Sequence, residues 1–366
     1  MTQKIAAVEV YMPVFRAENP AFDSSFVLKS VGHAVVRIVT DDGLDGYGMT
    51  FAEPIGEYVK EILAEVVVGQ DPLTHEDIWN SMYRATRSSG RKGLALMAIS
   101  AIDIALWDLK GKILGQPIYR LLGGGRRKIP AYASVGFLSM SSDEVAEKSL
   151  LYIKEGYRVL KIKVGYDGGK NLTADIRRVE RLRREVGGEI EIIVDANGAY
   201  DVSTAIRLAK SLAELGVCLF EEPVPADDIQ GLRRVRDAAC IPIAAGENEY
   251  TKYGCRDLLL AEAVDVLQFD ITRAGGFTEM IKISAMTQAW NLRLAPHFWP
   301  QLSAHLLSPA PHGLYLEAFP AAASGAVTAK VIKNQPPIRD GHYELPDAPG
   351  LGLSFDHEYL KQFRVF

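Results

Sequence analysis

Short apolar runs alternate with longer helix-like segments from about residue 129 to residue 317, and this rhythm constrains the fold more than any other feature. We interpret the apolar runs as strands because they are short, rich in β-branched residues and separated by helical patterns. The runs are Ile129–Val135, Val159–Val164, Glu191–Asp195, Cys218–Glu221, Ile241–Ala245, Val266–Phe269, Leu292–Ala295 and Gly313–Glu317. Eight strands that alternate with helices predict an α/β fold in which parallel strands close into a barrel.

The residues that precede the barrel read as a separate mixed α/β unit. Ile5–Val10 and Ala34–Val39 alternate like strands, and the segment DDGLDGYG that follows them is rich in turn residues. A buried helix is predicted for Gly93–Lys112, and the run LLGGG that comes next indicates a domain boundary. The expected domains are residues 1–124, completed by the Pro/Gly-rich stretch 324–366, and a barrel at residues 125–323.

Composition excludes several classes of protein. The formal net charge is −5 and the sequence pI about 5.9, so we expect no nucleic-acid partner. Cys218, Cys240 and Cys255 show no metal-binding spacing, which favours free thiols in a reducing compartment. The N-terminus lacks an apolar signal core, and Asp103 and Asp108 interrupt the apolar helix, so we expect no membrane span and a cytoplasmic location.

An arginine-rich helix is predicted around Arg177–Arg184. Its positive charges alternate with acidic residues, which is typical of a helix face exposed to solvent. We therefore assign the charged side chains of this helix to the outer surface of the barrel.

Polar residues stand at or just after the C-terminal ends of successive predicted strands, spaced by about one βα unit. They are Lys161, Lys163, Asp195, Glu221, Glu247, Asp270, His297 and Glu317. In a parallel barrel all strands end at the same face, and active sites lie there. The spacing therefore predicts that these side chains surround one mouth.

Three of these residues indicate a metal site. Asp195, Glu221 and Glu247 would repel one another if they converged without a cation. Mg²⁺ prefers carboxylate oxygens, needs few protein ligands and leaves coordination positions for a substrate. We therefore predict that these carboxylates bind Mg²⁺.

The basic residues indicate acid–base chemistry. Lys161 and Lys163 are two apart on a strand and so face the same side, where the charge of each is expected to lower the pKa of the other. His297 needs an orienting partner, and Asp270 at the end of the neighbouring strand is placed to accept a hydrogen bond from it. His305 and His312 follow closely enough to leave their roles open.

The motifs around these residues resemble those of the mandelate racemase subgroup of the enolase superfamily. They are KIK (161–163), VDAN (194–197), FEEP (220–223), GEN (246–248), FDITRAGG (269–276), APH (295–297) and YLE (315–317). Each motif is weak alone, but their order and spacing are specific, and the resemblance covers nearly the whole chain. It implies a modified TIM barrel, (β/α)₇β, with an α+β capping domain built from both termini.

The resemblance also implies a role for each residue. Asp195, Glu221 and Glu247 match the Mg²⁺ ligands, and Lys163 and His297, the latter paired with Asp270, match bases on opposite faces of the substrate. Lys161 matches the lysine that contacts the substrate carboxylate, Glu317 matches the acid that hydrogen-bonds it, and Asn197 matches a residue near the α-hydroxyl. The implied reaction removes the α-proton of a hydroxy-carboxylate to give an enediolate, a mode of catalysis that the superfamily shares.

The step after proton removal remains open. Loss of a β-hydroxyl would make the protein an acid-sugar dehydratase, the outcome we favour by analogy with the subgroup, whereas return of a proton by the opposite base would make it a racemase or epimerase. The segment Phe15–Phe26 is expected to be a loop of the cap that closes over the substrate. Its Arg16, Glu18, Asn19 and Asp23 suit a hydroxylated substrate, but Phe22, Phe26 and Val27 suit an aromatic one.

Other classes fit less well. A barrel that only binds its ligand would not need the full set of acid, base and metal residues, and a phosphate-binding barrel would carry a glycine-rich loop where this chain has HFWPQLSAH. We expect a small-molecule carboxylate substrate and association into a homo-oligomer.

Overall fold

The computed structural model describes residues 3–320 and 323–366. Within residues 3–320, the chain begins with a four-stranded antiparallel sheet. Its strands are β1 (Ile5–Tyr11), β2 (Val14–Phe22), β3 (Val27–Thr40) and β4 (Asp45–Phe51). The long strand β3 pairs with β2 along its first half and with β1 and β4 along its second half.

One expectation for this region is wrong. The segment Phe15–Phe26 is mostly strand β2, which forms a β-hairpin with β3, and only its tip at residues 23–26 is a turn. The turn-rich segment 41–48 does contain a turn, at its start, and β4 then begins at Asp45. Polar residues and glycines interrupt the apolar alternation in these strands, so the sequence pattern alone does not identify them. Their pairing with β3 decides that they are strands.

Helices cover one face of this sheet. They are α1 (Gly56–Tyr58), α2 (Ala64–Val67), α3 (His75–Ala85), α4 (Leu94–Ile113) and α5 (Ile118–Leu121), with π-helical residues Val59–Leu63 between α1 and α2 and a 3₁₀ turn at Thr86–Ser88. The predicted buried helix is confirmed as α4, which packs against β4. In the described residues, none of the helices combines the length and apolar character needed to cross a bilayer.

The barrel predicted from the sequence is confirmed. Its eight strands within the described residues are β5 (Lys128–Gly136), β6 (Val159–Lys163), β7 (Glu191–Asp195), β8 (Val217–Glu221), β9 (Ile243–Ala245), β10 (Val266–Leu267), β11 (Arg293–Leu294) and β12 (Leu316–Ala318). Each pairs in parallel with the next from β5 to β11, and β12 pairs with β5. A parallel bridge between Leu294 and Gly313 completes the ring.

Helices follow the barrel strands. They are α6 (Ser142–Lys154), α7 (Tyr166–Gly169), α8 (Leu172–Val186), α9 (Val202–Glu214), α10 (Ile229–Ala238), α11 (Thr251–Leu260), α12 (Gly276–Ala289) and α13 (Pro300–Leu307). Ser141 and Glu144 form a capping box at the start of α6, and Asn171 and Asp201 cap α8 and α9. These caps satisfy N–H groups that a helix cannot satisfy internally, so the local sequence fixes where these helices begin.

The barrel interior changes from apolar to charged along the strand direction. Its lower layer is a cluster of Tyr132, Val159, Ile193, Leu219, Ala244, Val266 and Ala295. Since side chains on one face recur every second residue, Lys161, Asp195 and Glu221 follow two positions after Val159, Ile193 and Leu219. The packed lower layer thus supports a charged layer at the C-terminal mouth.

The C-terminal stretch contacts both parts of the molecule. It contains α14 (Ala323–Val331), β13 (Ile338–Arg339), β14 (His342–Glu344), α15 (His357–Leu360) and a 3₁₀ turn at Lys361–Phe363. Strand β14 pairs with β5 of the barrel, whereas the N–H of Val10 in β1 donates to the carbonyl of Phe366. The domain boundaries at 124/125 and 323/324 stay predictions.

Helix α4 also joins the cap to the barrel. The Ser100 hydroxyl accepts a hydrogen bond from the N–H of Gly275 at 2.9 Å, and the Asp103 carboxylate accepts one from the N–H of Thr278 at 3.0 Å. Both donors lie at the start of α12, which has no side-chain cap of its own. The capping domain therefore supplies the side-chain acceptors that the N-terminus of this barrel helix lacks.

The arginine-rich helix α8 differs from its expectation at one residue. Arg178 is only 1% exposed, although the helix was assigned a solvent-exposed charged face. Alternation of charges does not reveal that one arginine of the helix points inward, because the acceptors it meets come from distant loops.

We predict that replacing Gly48 by alanine destabilises the fold. Gly46 and Gly48 of β4 face α4, and a Cβ atom at Gly48 would overlap the carbonyl oxygen of Ala101 and crowd the N–H of Ala105. Because both are helix backbone, we expect a loss of about 1–3 kcal/mol or more in the free energy of unfolding, measured by urea titration. The matched control is Gly188→Ala, where the added methyl meets no atom within 4 Å. Equal urea midpoints for the two variants would contradict this account.

Candidate active site

Lys161 lies at the centre of the charged layer. Its Nζ is 2.6 Å from Glu317 Oε1, 2.8 Å from Glu221 Oε1 and 3.7 Å from Asp195 Oδ2. Burial by itself lowers the pKa of Lys161, but Glu221 and Glu317 outweigh it and hold that pKa well above its usual range. Because its side chain is also only 1% exposed, we interpret Lys161 as a positive charge held among carboxylates.

Lys163 ends β6 two residues further along. Its Nζ donates to Asp195 Oδ2 at 2.7 Å and to Asn197 Oδ1 at 2.6 Å. Burial and the charge of Lys161 lower the pKa of Lys163, as expected, but Asp195 and Glu247 outweigh them and the net direction is upward. The expectation that the pKa of Lys163 is lowered is thus wrong when only the surrounding protein groups act on it. The two lysines are outnumbered by carboxylates, which raise that pKa.

His297 follows β11 and is held on both ring nitrogens. Nδ1 is 2.6 Å from Asp270 Oδ2, as the sequence predicts, and Nε2 is 3.2 Å from Glu247 Oε2. Asp270 is fixed in turn, since its other oxygen accepts from the N–H and the hydroxyl of Thr272 at 2.6 and 2.7 Å. Burial lowers the pKa of His297, but Glu247 and Asp270 reverse the direction and raise it.

The three predicted metal ligands all reach this layer. Burial raises the pKa of Glu221 to about 7, and Asp195, Glu317 and Glu247 add to that effect while Lys161 opposes it. Such crowding of carboxylates is relieved by a hard cation, and the donor set is all oxygen, as Mg²⁺ requires. In the part of the chain that the structure describes, however, His, Cys, Asp and Glu side chains do not converge on a preformed metal position. Asp195 and Glu221 instead point to the lysines.

Exposure separates the groups that face the mouth from those beneath it. The side chains of Lys163, Glu247 and His297 keep 10–11% of their surface exposed. Lys161, Asp195, Glu221 and Glu317 keep at most 1%. The first set therefore borders the space in which a substrate would lie.

Aromatic rings form a continuous arc between Lys163 and His297. Lys163 Nζ lies 5.5 Å from the ring centroid of Phe137, which is 6.3 Å from that of Phe319. Phe319 and Phe298 are 4.5 Å apart, and Phe298 is 5.7 Å from the His297 ring. This arc makes one wall of the mouth apolar.

Residues 7–123 match the N-terminal domain of the mandelate racemase and muconate lactonizing enzyme family, and residues 144–359 match the enolase C-terminal domain-like family. This chain belongs to the mandelate racemase subgroup of the enolase superfamily. The resemblance inferred from the motifs is confirmed, as is the fold class.

Three relatives show the range of reactions near this member of the superfamily. Arabinonate dehydratase of Saccharolobus solfataricus is 32% identical over 90% of this chain and 89% of its own. D-galactarolactone cycloisomerase of Agrobacterium fabrum is 34% identical over 99% of both chains. The crystal structure of a racemase from Streptomyces coelicolor with bound magnesium superposes with a TM-score of 0.90 at 31% identity, covering 99% of this chain and 100% of the other.

Several residues of this superfamily member touch the site but were missed from the sequence. Gln268 Nε2 donates to Glu221 Oε2 at 2.9 Å, and Arg273 donates to the carbonyl of Glu247 at 3.0 Å. Gln268 stands two residues before Asp270, the same spacing that relates Lys161 to Lys163, so strand periodicity would have found it. Arg273 lies in the loop after its strand, where the two-residue alternation of strand side chains does not predict which way a residue points.

The cap hairpin docks on the barrel mouth. The Ser24 hydroxyl donates to the carbonyl of Ala196 at 2.7 Å, and the N–H of Leu138 donates to the carbonyl of Phe22 at 2.9 Å. Asp23, expected to suit a hydroxylated substrate, instead accepts the N–H groups of Ser25 and Phe26 within its own turn. The carboxylate of Asp23 is therefore committed to the hairpin.

The other cap contact lies on the His297 side. The Thr50 hydroxyl of β4 donates to the carbonyl of Thr272 at 3.0 Å, and Thr272 holds Asp270. Phe51 of the same strand also contacts His297 directly, since their ring centroids are 6.1 Å apart.

The two histidines whose roles were open lie away from the mouth. His305 Nδ1 accepts from the N–H of Tyr119 at 3.2 Å, and its Nε2 donates to the carbonyl of Leu351 at 3.3 Å. His312 lies near Arg293, at the opposite end of β11 from the site. Both therefore belong to the scaffold.

We predict that His305 makes the fold less stable at mildly acidic pH. Burial lowers the pKa of His305 to about 4, from an ordinary value near 6.5. The unfolded chain takes up a proton as pH falls through about 6.5 and the folded protein does not, so the stability present above that pH is lost down to about pH 4, by at most about 3 kcal/mol. Urea midpoints at pH 7, 6 and 5 should fall less steeply for His305→Gln. The exposed His342→Gln is the control, and an unchanged slope for His305→Gln would refute the assignment.

Proposed function

We propose that this protein removes the α-proton of a hydroxy-carboxylate in a Mg²⁺-dependent reaction and then dehydrates an acid sugar to a 2-keto-3-deoxy acid. One observation carries the proposal: Lys163 and His297 border the same mouth, and Lys161 lies buried beneath it as a permanent positive charge. Two bases beside a fixed cation suit proton abstraction next to a carboxylate, because removal of that proton adds negative charge to the carboxylate oxygens.

We assign Mg²⁺ to Asp195, Glu221 and Glu247. The crowding of these buried carboxylates supports the assignment, as does the magnesium bound to the related racemase. When bound, the ion supplies positive charge where the enediolate develops negative charge.

The positions of the strands support the arrangement of a substrate between the bases. Lys163 ends β6 and His297 follows β11, and on one side β12 and β5 lie between them. Glu317 belongs to β12 and lies 2.6 Å from Lys161. Burial alone raises the pKa of Glu317, but Lys161 and His297 outweigh it and lower that pKa. We propose that the substrate carboxylate faces Lys161 and Glu317, that Glu317 takes up a proton as this second anion binds and then donates a hydrogen bond to it, and that Asn197 contacts the α-hydroxyl.

The roles of the two bases follow from their orientation. The base that faces the α-hydrogen removes it, and the choice between Lys163 and His297 depends on the configuration at that carbon. His297 then protonates the departing β-hydroxyl through Nε2 in dehydration, because Asp270 holds Nδ1 and Glu247, which lies 3.2 Å from Nε2, is assigned to Mg²⁺.

A second candidate is a racemase or epimerase of a 2-hydroxy acid. The aromatic arc from Lys163 to His297 favours it, since an apolar wall suits a substrate with few hydroxyl groups. In that reaction the opposite base returns the proton.

The proposed function also includes a small-molecule carboxylate as the binding partner, association into a homo-oligomer and a cytoplasmic location.

We predict that a screen of mono- and diacid sugars with Mg²⁺ yields a 2-keto-3-deoxy product, detected with semicarbazide. The reason is that a substrate with a β-hydroxyl can lose it once the α-proton is gone. A negative screen, followed by α-proton exchange in D₂O on mandelate-like acids, would replace the dehydratase by the racemase. Absence of both reactions would refute the proposed function.

We predict that Glu221→Gln weakens Mg²⁺ binding by more than about tenfold, because it removes a charged ligand. Calorimetric titration of the purified variant with Mg²⁺ measures this directly. Glu249→Gln is the matched control, since Glu249 is also buried but pairs with Lys92 at 3.5 Å. Unchanged affinity in Glu221→Gln would remove this residue from the ligand set.

A further inference from the structure

Two buried charged residues of α8, Asp175 and Arg178, hold the backbone on both sides of the end of β6. They are separated by three positions and therefore lie on one face of the helix, which is turned toward the barrel. Neither belongs to the charged layer of the mouth. Their contacts converge on the loops that follow β5, β6 and β7.

Arg178 uses its whole guanidinium group on acceptors in these loops. Nε donates to the carbonyl of Lys163 at 3.0 Å. The two terminal nitrogens donate to the carbonyls of Met140, Phe137 and Gly136, at 2.8, 2.8 and 3.3 Å, and to the hydroxyl of Tyr166 at 2.8 Å. Five donors in a rigid plane fix five acceptors relative to one another, which the three donors of a lysine cannot do.

Asp175 holds the same loop from the other side. Its Oδ1 accepts the N–H groups of Gly165 and Tyr166 at 2.8 and 3.0 Å. Its Oδ2 accepts the hydroxyl of Tyr200 at 2.7 Å, which ties in the loop after β7. That loop also carries Asn197, whose side chain accepts from Lys163 Nζ.

We propose that Asp175 and Arg178 are positioning residues for Lys163, and this inference rests on the proposed function of Lys163 as one of two bases. Arg178 fixes the carbonyl of Lys163, and Asp175 fixes the chain two residues later, so together they set where β6 ends and where the ammonium group points. The same arginine holds the backbone carbonyl of Phe137, whose phenyl ring lies 5.5 Å from that ammonium.

The His297 side depends on different groups. Asp270 holds the His297 ring directly, and Thr272 holds Asp270. Thr50 of the cap in turn donates to the carbonyl of Thr272. Loss of the Asp175–Arg178 pair should therefore impair proton transfer at the Lys163 face and leave the His297 face working. A residue that only stabilised the fold would affect both faces alike.

The test measures α-proton exchange in D₂O from both configurations of an acid that the wild-type protein exchanges. Lys163→Ala first identifies the configuration served by Lys163. We expect Arg178→Lys and Asp175→Asn to lower kcat for that configuration about 100-fold, as a displacement of about 1 Å does, and to change the other by no more than about threefold. Arg181→Met is the matched control, because Arg181 lies on the same helix but pairs at the surface with Asp143 and Glu185.

Equal losses from both configurations, or no loss from either, would overturn the inference. Tyr200→Phe gives a milder form of the same test if a charged-residue variant does not fold, since it removes one hydroxyl from Asp175. For this variant we expect a smaller loss confined to the Lys163 face, and a loss shared by both faces would again overturn the inference.

A second measurement does not depend on turnover. Acetic anhydride labelling, mapped by mass spectrometry, compares Lys163 with Lys333, whose side chain is 58% exposed. We expect Arg178→Lys to raise the acetylation rate of Lys163 several-fold relative to Lys333, and an unchanged ratio would overturn the inference. If the wild type exchanged no acid, the proposed function would fail, and the labelling would still decide whether Arg178 positions Lys163.

Discussion

A fully buried lysine among carboxylates is the interaction on which the rest of this structure depends. Lys161 contacts Glu221 and Glu317 and lies near Asp195, and all four side chains are almost completely removed from solvent. Burying such charges costs several kcal/mol for each ion unless the geometry is close and the remaining oxygens are hydrogen-bonded. The barrel meets both conditions, because its strands set the lysine and the carboxylates in adjacent rows, while Gln268 and the N–H of Phe298 bind the outer oxygens of Glu221 and Glu317.

The two proposed bases are supported from opposite parts of the molecule. Lys163 depends on α8 and on loops of the barrel, whereas His297 depends on Asp270 and, through Thr272, on a threonine of the cap sheet. The chemical symmetry of a two-base site is therefore built on an asymmetric scaffold. Relatives of this chain include a dehydratase, a cycloisomerase and a racemase.

The sequence predicted the barrel and its charged mouth because both follow local rules. Buried parallel strands are short apolar runs, and side chains at their ends recur once in each βα unit, so Asp195, Glu221 and Glu247 could be placed without a structure. The sequence did not reveal strand β2, the inward position of Arg178 or the phenylalanine arc. Strand β2 depends on pairing with β3, Arg178 finds its acceptors in the two segments at the ends of β5 and β6, and Phe137 meets Phe319 only because β12 closes the ring beside β5. These features are set by contacts between distant segments, which periodicity along the chain does not encode.

The start of helix α12 makes the barrel depend on the capping domain. Its N–H groups are taken by Ser100 and Asp103, which lie 175 positions earlier in the chain. A barrel made without the capping domain would keep two buried donors without acceptors at the loop that carries Asp270. On the ribosome the N-terminal part of the capping domain, which contains α4, is made before the barrel, so this helix is available when α12 emerges. The barrel is therefore not a free-standing module, and a cap from another protein could replace this one only if it brought equivalent acceptors to the same place.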